Sequence, residues 1–381
     1  MRTSVTRNAI PFLAAWTLAF PIVACTADVE EPEWLGTREW IDSVEVVRNP
    51  AAPMLPREAA RAERLWSTAV SDAEDPDSLW QEAAALAVGE DQIHVLDRMA
   101  NRVYVVRAID GRWVNSLGRN GRGPGELARP LDVMMLGSVV AVLDGGKGTI
   151  ERFTADGGTL DPIRLPSITF TAFPLDSTRV AVGGMRGTLI LRAGSEPTAI
   201  ELQDPVAMPE GPGSSCRPLG HVADSLARWS CVAPHVQILD TLGRGVREIL
   251  LGLEPVRTDE ALLDEYVNEV RRTFASTNMA SEEIERMMAT TRDSYTYSRR
   301  WRRLRRDDVT GMLGFWEQPP DDLDPGPATL HLLRPDGAWL ATLGFARRWV
   351  AFAMHDGNVY ALERDPDTDL ATLVAYRLAL E

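Results

Sequence analysis

Short apolar runs alternating with polar residues recur along this chain from about residue 90 to its end. Ile93-His-Val-Leu-Asp97, Asn101-Arg-Val-Tyr-Val-Val106 and Trp113-Val-Asn-Ser-Leu117 predict three strands, because β-branched and aromatic residues at period two between turn residues suit a pleated sheet. Asp110-Gly111 predicts the hairpin between the second and third. Asp97 and Asn101 flank the first turn, where short polar side chains bond nearby backbone N–H groups. The pattern then returns. Val140–Asp144, Gly148–Phe153 and Asp156-Gly157 form a second copy, and Asp97 and Asp144 lie 47 residues apart. Val180–Gly184, Gly187–Arg192 and Ala193-Gly194 form a third. Leu226–Cys231, Val236–Asp240 and Val246–Leu251 form a fourth. Gly311–Trp316, Thr329–Leu333, Asp336-Gly337 and Trp339–Leu343 form a fifth, and Val350–Met354, Asn358–Leu362 and Leu373–Leu378 a sixth.

Units of this size cannot bury both faces alone, and radial stacking buries them while leaving only short edges. Val-x-Val strands with Asp-Gly turns would also suit a β-sandwich, but six units in register favour an all-β, six-bladed propeller. A ring must also close. Asp42-Ser-Val-Glu-Val-Val47 stands outside the six copies, ahead of Asn49-Pro50 and the segment Pro53–Pro56, and is expected to pair with the last blade at Leu370–Leu380. One segment breaks the pattern. Leu262, Leu263, Tyr266, Val267, Val270 and Phe274 recur at helical spacing, with Asp259 and Glu260 suited to the N-terminus. Ser281 predicts the start of a second helix with Ile284, Met287, Met288 and Thr291 on one face. Its expected continuation carries Tyr297, Trp301 and Leu304 on one side and Arg299, Arg300, Arg302, Arg303, Arg305 and Arg306 elsewhere. The helical insertion is therefore expected at about 255–308, between the fourth and fifth blades.

The string Asp97-x-x-x-Asn101-Arg102, then Asp110-Gly111, then the run Gly118–Leu127 with its Gly123-Pro-Gly-Glu126 step and Pro130, resembles an NHL-type blade. It is similar to the six-bladed, TolB-like propeller lipoproteins of environmental bacteria that carry a Gly-Pro-Gly-Glu step at this point. The resemblance implies a propeller over 41–381 and a helical insertion before the fifth blade, and it assigns that insertion no role. It also implies a second reading, since some six-bladed propellers are calcium-dependent lactonases or lyases acting at the central channel.

The first residues supply an address. Arg2 and Arg7 precede an uncharged stretch from Ala9 to Ala24, a basic and then apolar leader of the secretory kind at 1–24. The stretch falls short of the roughly 20 residues that span a bilayer. Ile22-Val-Ala-Cys25 resembles a bacterial lipobox, which implies cleavage before Cys25 and its lipidation, with residues 25–40 as a tether. Thr26 takes the place of the Asp that usually marks inner-membrane retention, so the outer membrane, facing the periplasm, is the expected destination. Cys216 and Cys231 are then the two cysteines left in an oxidising compartment, and a disulfide between them is expected, contributing about 3 kcal/mol.

The formal net charge of −15 opposes nucleic-acid binding, which needs a basic face. Candidate chemistry is sparse. His94, His221, His235, His331 and His355 are dispersed, with no His-x-x-x-His or Glu-x-x-His pair to hold zinc. There is no Gly-x-Ser-x-Gly elbow, and Pro124 removes a donor from the only phosphate-loop-like spacing. Asp97, Asp144 and Asp240 recur at turns, where repeated backbone caps explain them better than one converging metal site. No catalytic residue, metal or cofactor is expected. Positive charge at Arg119, Arg122, Arg302 and Arg306 is expected to gather on the face that carries the passages between blades, binding an anionic small ligand or an acidic protein partner.

Overall fold

A computed structural model describes residues 33–68, 80, 82–185, 187–207, 218–275, 279–319 and 326–381. Six sheets, antiparallel apart from one added strand pair in the fourth, stand radially around a channel, in chain order. Blade 1 comprises Ala83–Val88, Gln92–Asp97, Arg102–Arg107 and Trp113–Leu117, from the innermost strand outward. Blade 2 comprises Pro130–Leu136, Val139–Asp144, Thr149–Phe153 and Thr159–Arg164. Blade 3 comprises Thr169–Pro174, Arg179–Gly184, Gly187–Arg192 and Thr198–Ile200. Blade 4 begins with Leu219–Val222, Ser225–Trp229, His235–Leu239 and Gly245–Leu250. Blade 5 comprises Trp301–Arg306, Leu313–Glu317, Thr329–Leu333 and Trp339–Gly344, and blade 6 begins with Arg348–His355, Asn358–Arg364 and Ala371–Leu380.

Asp-Gly turns join the outer strands as expected: Gly111, Gly157 and Gly337 have φ of 70°, 91° and 89°, which glycine adopts without a Cβ clash. Asp97 and Asp144 are fully buried and cap backbone amides, Asp97 those of Glu82, Met99 and Ala100, and Asp144 those of Ala128, Arg129, Gly146 and Lys147. Each ties the turn after a blade's second strand to the start of that blade's innermost strand. Asp240 is different. It follows the third strand of blade 4 and caps the outer hairpin through Leu242 and Arg244, so it does not occupy the position shared by Asp97 and Asp144.

Ring closure departs from expectation. The strand Val44–Arg48 does not join blade 6. It adds in parallel to Gly245–Leu250, and Thr37–Ile41 pairs beyond it, so blade 4 has six strands. Val44, Val46 and Val47 are buried there, and Val47 packs with Ile249 and Trp339. Asn49 then locks blade 4 to blade 5: its side chain accepts from Trp34 Nε1 and the Trp339 amide and donates to the carbonyls of Leu250 and Gly337. The strand that closes the ring is Ala60–Thr68, antiparallel to Ala371–Leu380. Its inward residues are mostly small or mixed in character, Ala60, Ala62 and Trp66, interleaved with Arg61, Glu63 and Arg64, so its apolar signal is weak. Side chains between successive blades form six apolar clusters. One of them joins Ile93, Val95 and Tyr104 of blade 1 to Tyr360, Leu362 and Leu373 of blade 6 and completes the ring.

Between blades 4 and 5 the chain forms two helices, α1 (Glu260–Ala275) and α2 (Ser281–Tyr295). Tyr266 and Tyr295 rings meet at 4.6 Å, and Arg292 bonds Asp264 and Glu260 across the pair. The hairpin stands on two paired legs, with Thr258 N donating to Thr296 O and Ser298 N to Val256 O. The expected helical continuation through Arg306 is absent. The helix ends at Tyr295, and Trp301–Arg306 is the innermost strand of blade 5. A bulge explains the misreading. The register slips between Trp301 and Arg303, so Trp301 and Leu304, three apart, both enter the core between blades 4 and 5. The same slip occurs at the start of the innermost strands of blades 1, 2, 3 and 6.

Candidate functional site

Because the four strands from the innermost outward alternate in direction in every blade, every passage from the fourth strand of one blade to the innermost strand of the next emerges on the same face. The run Gly118–Pro130 and the helical hairpin are two such passages. Innermost strands of all six blades line the central channel, where a cavity of about 240 Å³ is bounded by Leu86–Val88, Asp132–Met135, Thr171–Pro174, Pro218–His221, Ala353 and Met354. Blade 5 supplies Arg302, Arg303, Arg305 and Arg306 to this wall, against the carboxylates of Asp132 and Asp308. In a protein of net charge −15, the channel thus carries an excess of positive charge.

These guanidinium groups are unequally compensated. Arg306 faces Asp308 at 3.5 Å, and Arg302 donates to the Pro319 carbonyl at 3.0 Å. Among the described residues, the Arg305 side chain donates only to the carbonyl of its neighbour Leu304, at 3.3 Å. Enclosure in the channel, joined by the charge of Arg303, pulls Arg305 down to about 10, with Asp132 opposing. His221 lies on the innermost strand of blade 4 and stacks parallel to Phe173. Burial first, then the charges of Arg305 and Arg306, pull its imidazole down to about 3, so it is neutral at neutral pH. Its Nδ1 is buried without a hydrogen-bond partner among the described residues.

At the mouth on the hairpin face, a second cavity of about 340 Å³ adjoins Arg302, Arg303, Trp316, Gln318, Arg348 and Arg364. Arg364 pairs with Asp369 at 3.1 Å, and the Gln318 side chain accepts from the Trp349 amide. A further cavity, about 630 Å³, lies outward of these between blades 4 and 5, walled by Trp301, Trp339, Leu55 and Leu253. Its polar groups are paired by charge: His331 bonds Thr342 Oγ1 at 3.1 Å and Glu317 at 3.0 Å, and Glu317 also faces Arg300 at 3.0 Å. Burial would raise the Glu317 carboxyl, but His331 and Arg300 outweigh it and hold it below the usual carboxylate range. There the carboxylate is matched by two partners, whereas the channel wall carries more cations than carboxylates.

The expected binding residues do not form one constellation. Arg302 and Arg306 both line the channel, but they stand near opposite ends of a strand, about 13 Å apart at the usual rise per residue. Arg119 pairs with Glu126, and Arg122 donates to the Gly146 carbonyl of blade 2; neither lines the channel cavity. The glycine-rich run folds on itself. Glu126 accepts from the Gly123 amide, Lys147 Nζ holds the Gly123 and Glu126 carbonyls, and Leu127 is fully buried. Arg303, Arg305, His221 and Asp132 are channel residues that the sequence reading did not single out as site residues. Recognising that the fifth copy lacked an innermost strand before Gly311 could have found the first two. Cys25 and Cys216 lie outside the described residues, and Cys231 is disulfide-bonded. Among the described residues no group of three or more His, Cys, Asp or Glu could hold a metal ion, and a cation entering the channel would meet the arginines.

A sequence-family model described as a 6-bladed beta-propeller matches residues 76–182. Among solved structures, a Bacteroides fragilis protein described as exported is similar, with a TM-score of 0.55 and 10% identity over 87% of this chain and 99% of its own. A member of a family of unknown function from Bacteroides vulgatus is similar too, with a TM-score of 0.54 and 12% identity over 85% of this chain and 97% of its own. At such identities the likeness concerns the fold. No curated protein matches the sequence.

Proposed function

We propose that this six-bladed propeller is a lipid-anchored binding module of the cell envelope that captures its ligand or partner through the central channel and the mouth on the hairpin face. The observation that carries the reading is the arginine-lined channel wall of blade 5 inside an acidic protein. Local reversal of sign draws in negatively charged groups and orients them, and a narrow low-dielectric channel strengthens the effect. Location rests on the leader that precedes Cys25 and on the disulfide at Cys231, which suits an oxidising compartment. No helix among the described residues is long and apolar enough to cross a membrane, so the lipid on Cys25 would be the attachment. The same fold serves the Bacteroides fragilis protein described as exported.

Two experiments test the two halves. Fatty-acid labelling should mark the wild type and not Cys25→Ala, and equal label on both would remove the anchor. Affinity capture from envelope extract should recover a partner with the wild-type protein and lose it with Arg303→Glu. Capture that is indifferent to Arg303 and Arg305 would move recognition away from the channel.

A further inference from the structure

Resting on that reading of the channel, we infer that the space between Arg303, Arg305 and His221 is a binding site for a small oxyanion, a phosphate, sulfate or carboxylate group. Three observations meet there. The Arg303 guanidinium lines the channel and has neither a hydrogen bond nor an ion pair among the described residues. Arg305 stands two residues along the same strand and has no ion pair either, its one side-chain bond being the 3.3 Å contact with the Leu304 carbonyl. Asp132, the carboxylate across the cavity, accepts from its neighbour Val133 N and lies beyond ion-pair distance of either arginine. His221 completes the wall with a neutral ring whose Nδ1 is unsatisfied.

Removing a cation from water without a counter-charge costs several kcal/mol, so folds seldom place two such groups side by side unless something fills the gap. Folding alone has no use for them here: Trp301 and Leu304 already bury the apolar side of the strand, and small neutral residues serve the same position in blade 1. A guanidinium offers a planar fork of donors that matches an oxyanion edge, and two on one strand face can grip two edges at once. A neutral imidazole adds one donor without adding charge. The cavity, about 240 Å³, leaves room for a small organic body beyond the oxyanion, so inorganic and organic sources share the same chemistry.

The test titrates the full-length protein at constant ionic strength with sodium phosphate, sodium sulfate or sodium citrate against a chloride control. Binding is followed by calorimetry and by thermal melting. At least one of the three should bind saturably at one site per chain and raise the melting temperature. Phosphate or sulfate would identify an inorganic or phosphoryl-type ligand, and citrate alone a carboxylate. Arg303→Gln and Arg305→Gln should each weaken that binding by about tenfold or more, while Arg112→Gln, exposed on the outer hairpin of blade 1, should leave it within about twofold. In chloride, Arg305→Gln should melt no lower than the wild type, because it removes an uncompensated enclosed charge. A large loss of stability in that variant would make Arg305 structural and overturn the inference. So would oxyanion effects that fail to saturate or that persist in both variants. If a protein partner is captured through Arg303 and Arg305 while none of the three oxyanions binds, the channel reading stands and the small-ligand site falls.

Discussion

The innermost strands of blades 1 and 5 occupy the same place in the ring and carry the same bulge, yet they are built for different ends. Ala83–Val88 is almost wholly buried, a wall of small neutral side chains against which blades 2 and 6 pack. Trp301–Arg306 divides its faces. Trp301 stacks on Phe315 at 4.6 Å and Leu304 is 1% exposed, while the arginines turn to the channel and its mouth. The ring is held by its junctions, so one strand can turn a costly face inward. Stability and recognition are thereby carried by different residues of a single six-residue segment.

That separation can be broken most forcefully at the junction side. Trp301→Ala removes an aromatic side chain from the cluster shared by Phe315, Trp339 and Ile249 and is expected to cost about 3–5 kcal/mol, read as a fall in the urea midpoint. If unfolding is as costly for the arginine variants, the two faces of the strand are not independent.

Acid should expose the next effect. His94 is buried on the second strand of blade 1, and burial pulls its imidazole down to about 4. The unfolded chain takes up the proton near pH 6.5, whereas the folded one does not until about pH 4. Stability is therefore whole above about pH 6.5 and falls through the interval below it, by up to about 3 kcal/mol. Urea unfolding of wild type and His94→Gln at pH 7 and pH 4.5 should show a shallower loss in the variant, and equal slopes would deny His94 the role.

Asn49→Ala leaves the buried Trp339 amide and the carbonyls of Leu250 and Gly337 without their partner and should cost about 2 kcal/mol by chemical denaturation. The smallest loss belongs to the channel: Arg303→Gln is expected to lower stability by no more than about 0.5 kcal/mol, since it gives up no hydrogen bond or ion pair among the described residues.

Much of the ring is legible in the order of residues. Strands at period two and Asp-Gly hairpins depend on neighbouring residues alone, so the second and third strands of every blade, the fourth strands of blades 1, 4 and 5, and the helical hairpin before blade 5 follow from local pattern. Val44–Arg48 was legible as a strand but not as a neighbour of blade 4, because pairing partners two hundred residues apart leave no local mark. The closing strand Ala60–Thr68 was hidden by its alternating alanines and charges. For the site, the arginine run was visible and its setting was not. Trp301 and Leu304 at spacing three imitate a helix face, and only the bulge reconciles that spacing with a strand.

By itself, then, the order of residues determined that the chain makes repeated small sheets, where their turns lie and which segment interrupts them, since turn chemistry and side-chain period act over a few residues. Tertiary structure alone decided which strand closes the ring, that the arginines face a channel, and that Arg303 and Arg305 share its wall with His221 without an ion pair among the described residues. The channel exists only when six innermost strands from distant parts of the chain meet around one axis. Burial, dielectric and charge balance at that axis are properties of the assembly and have no value in any one segment.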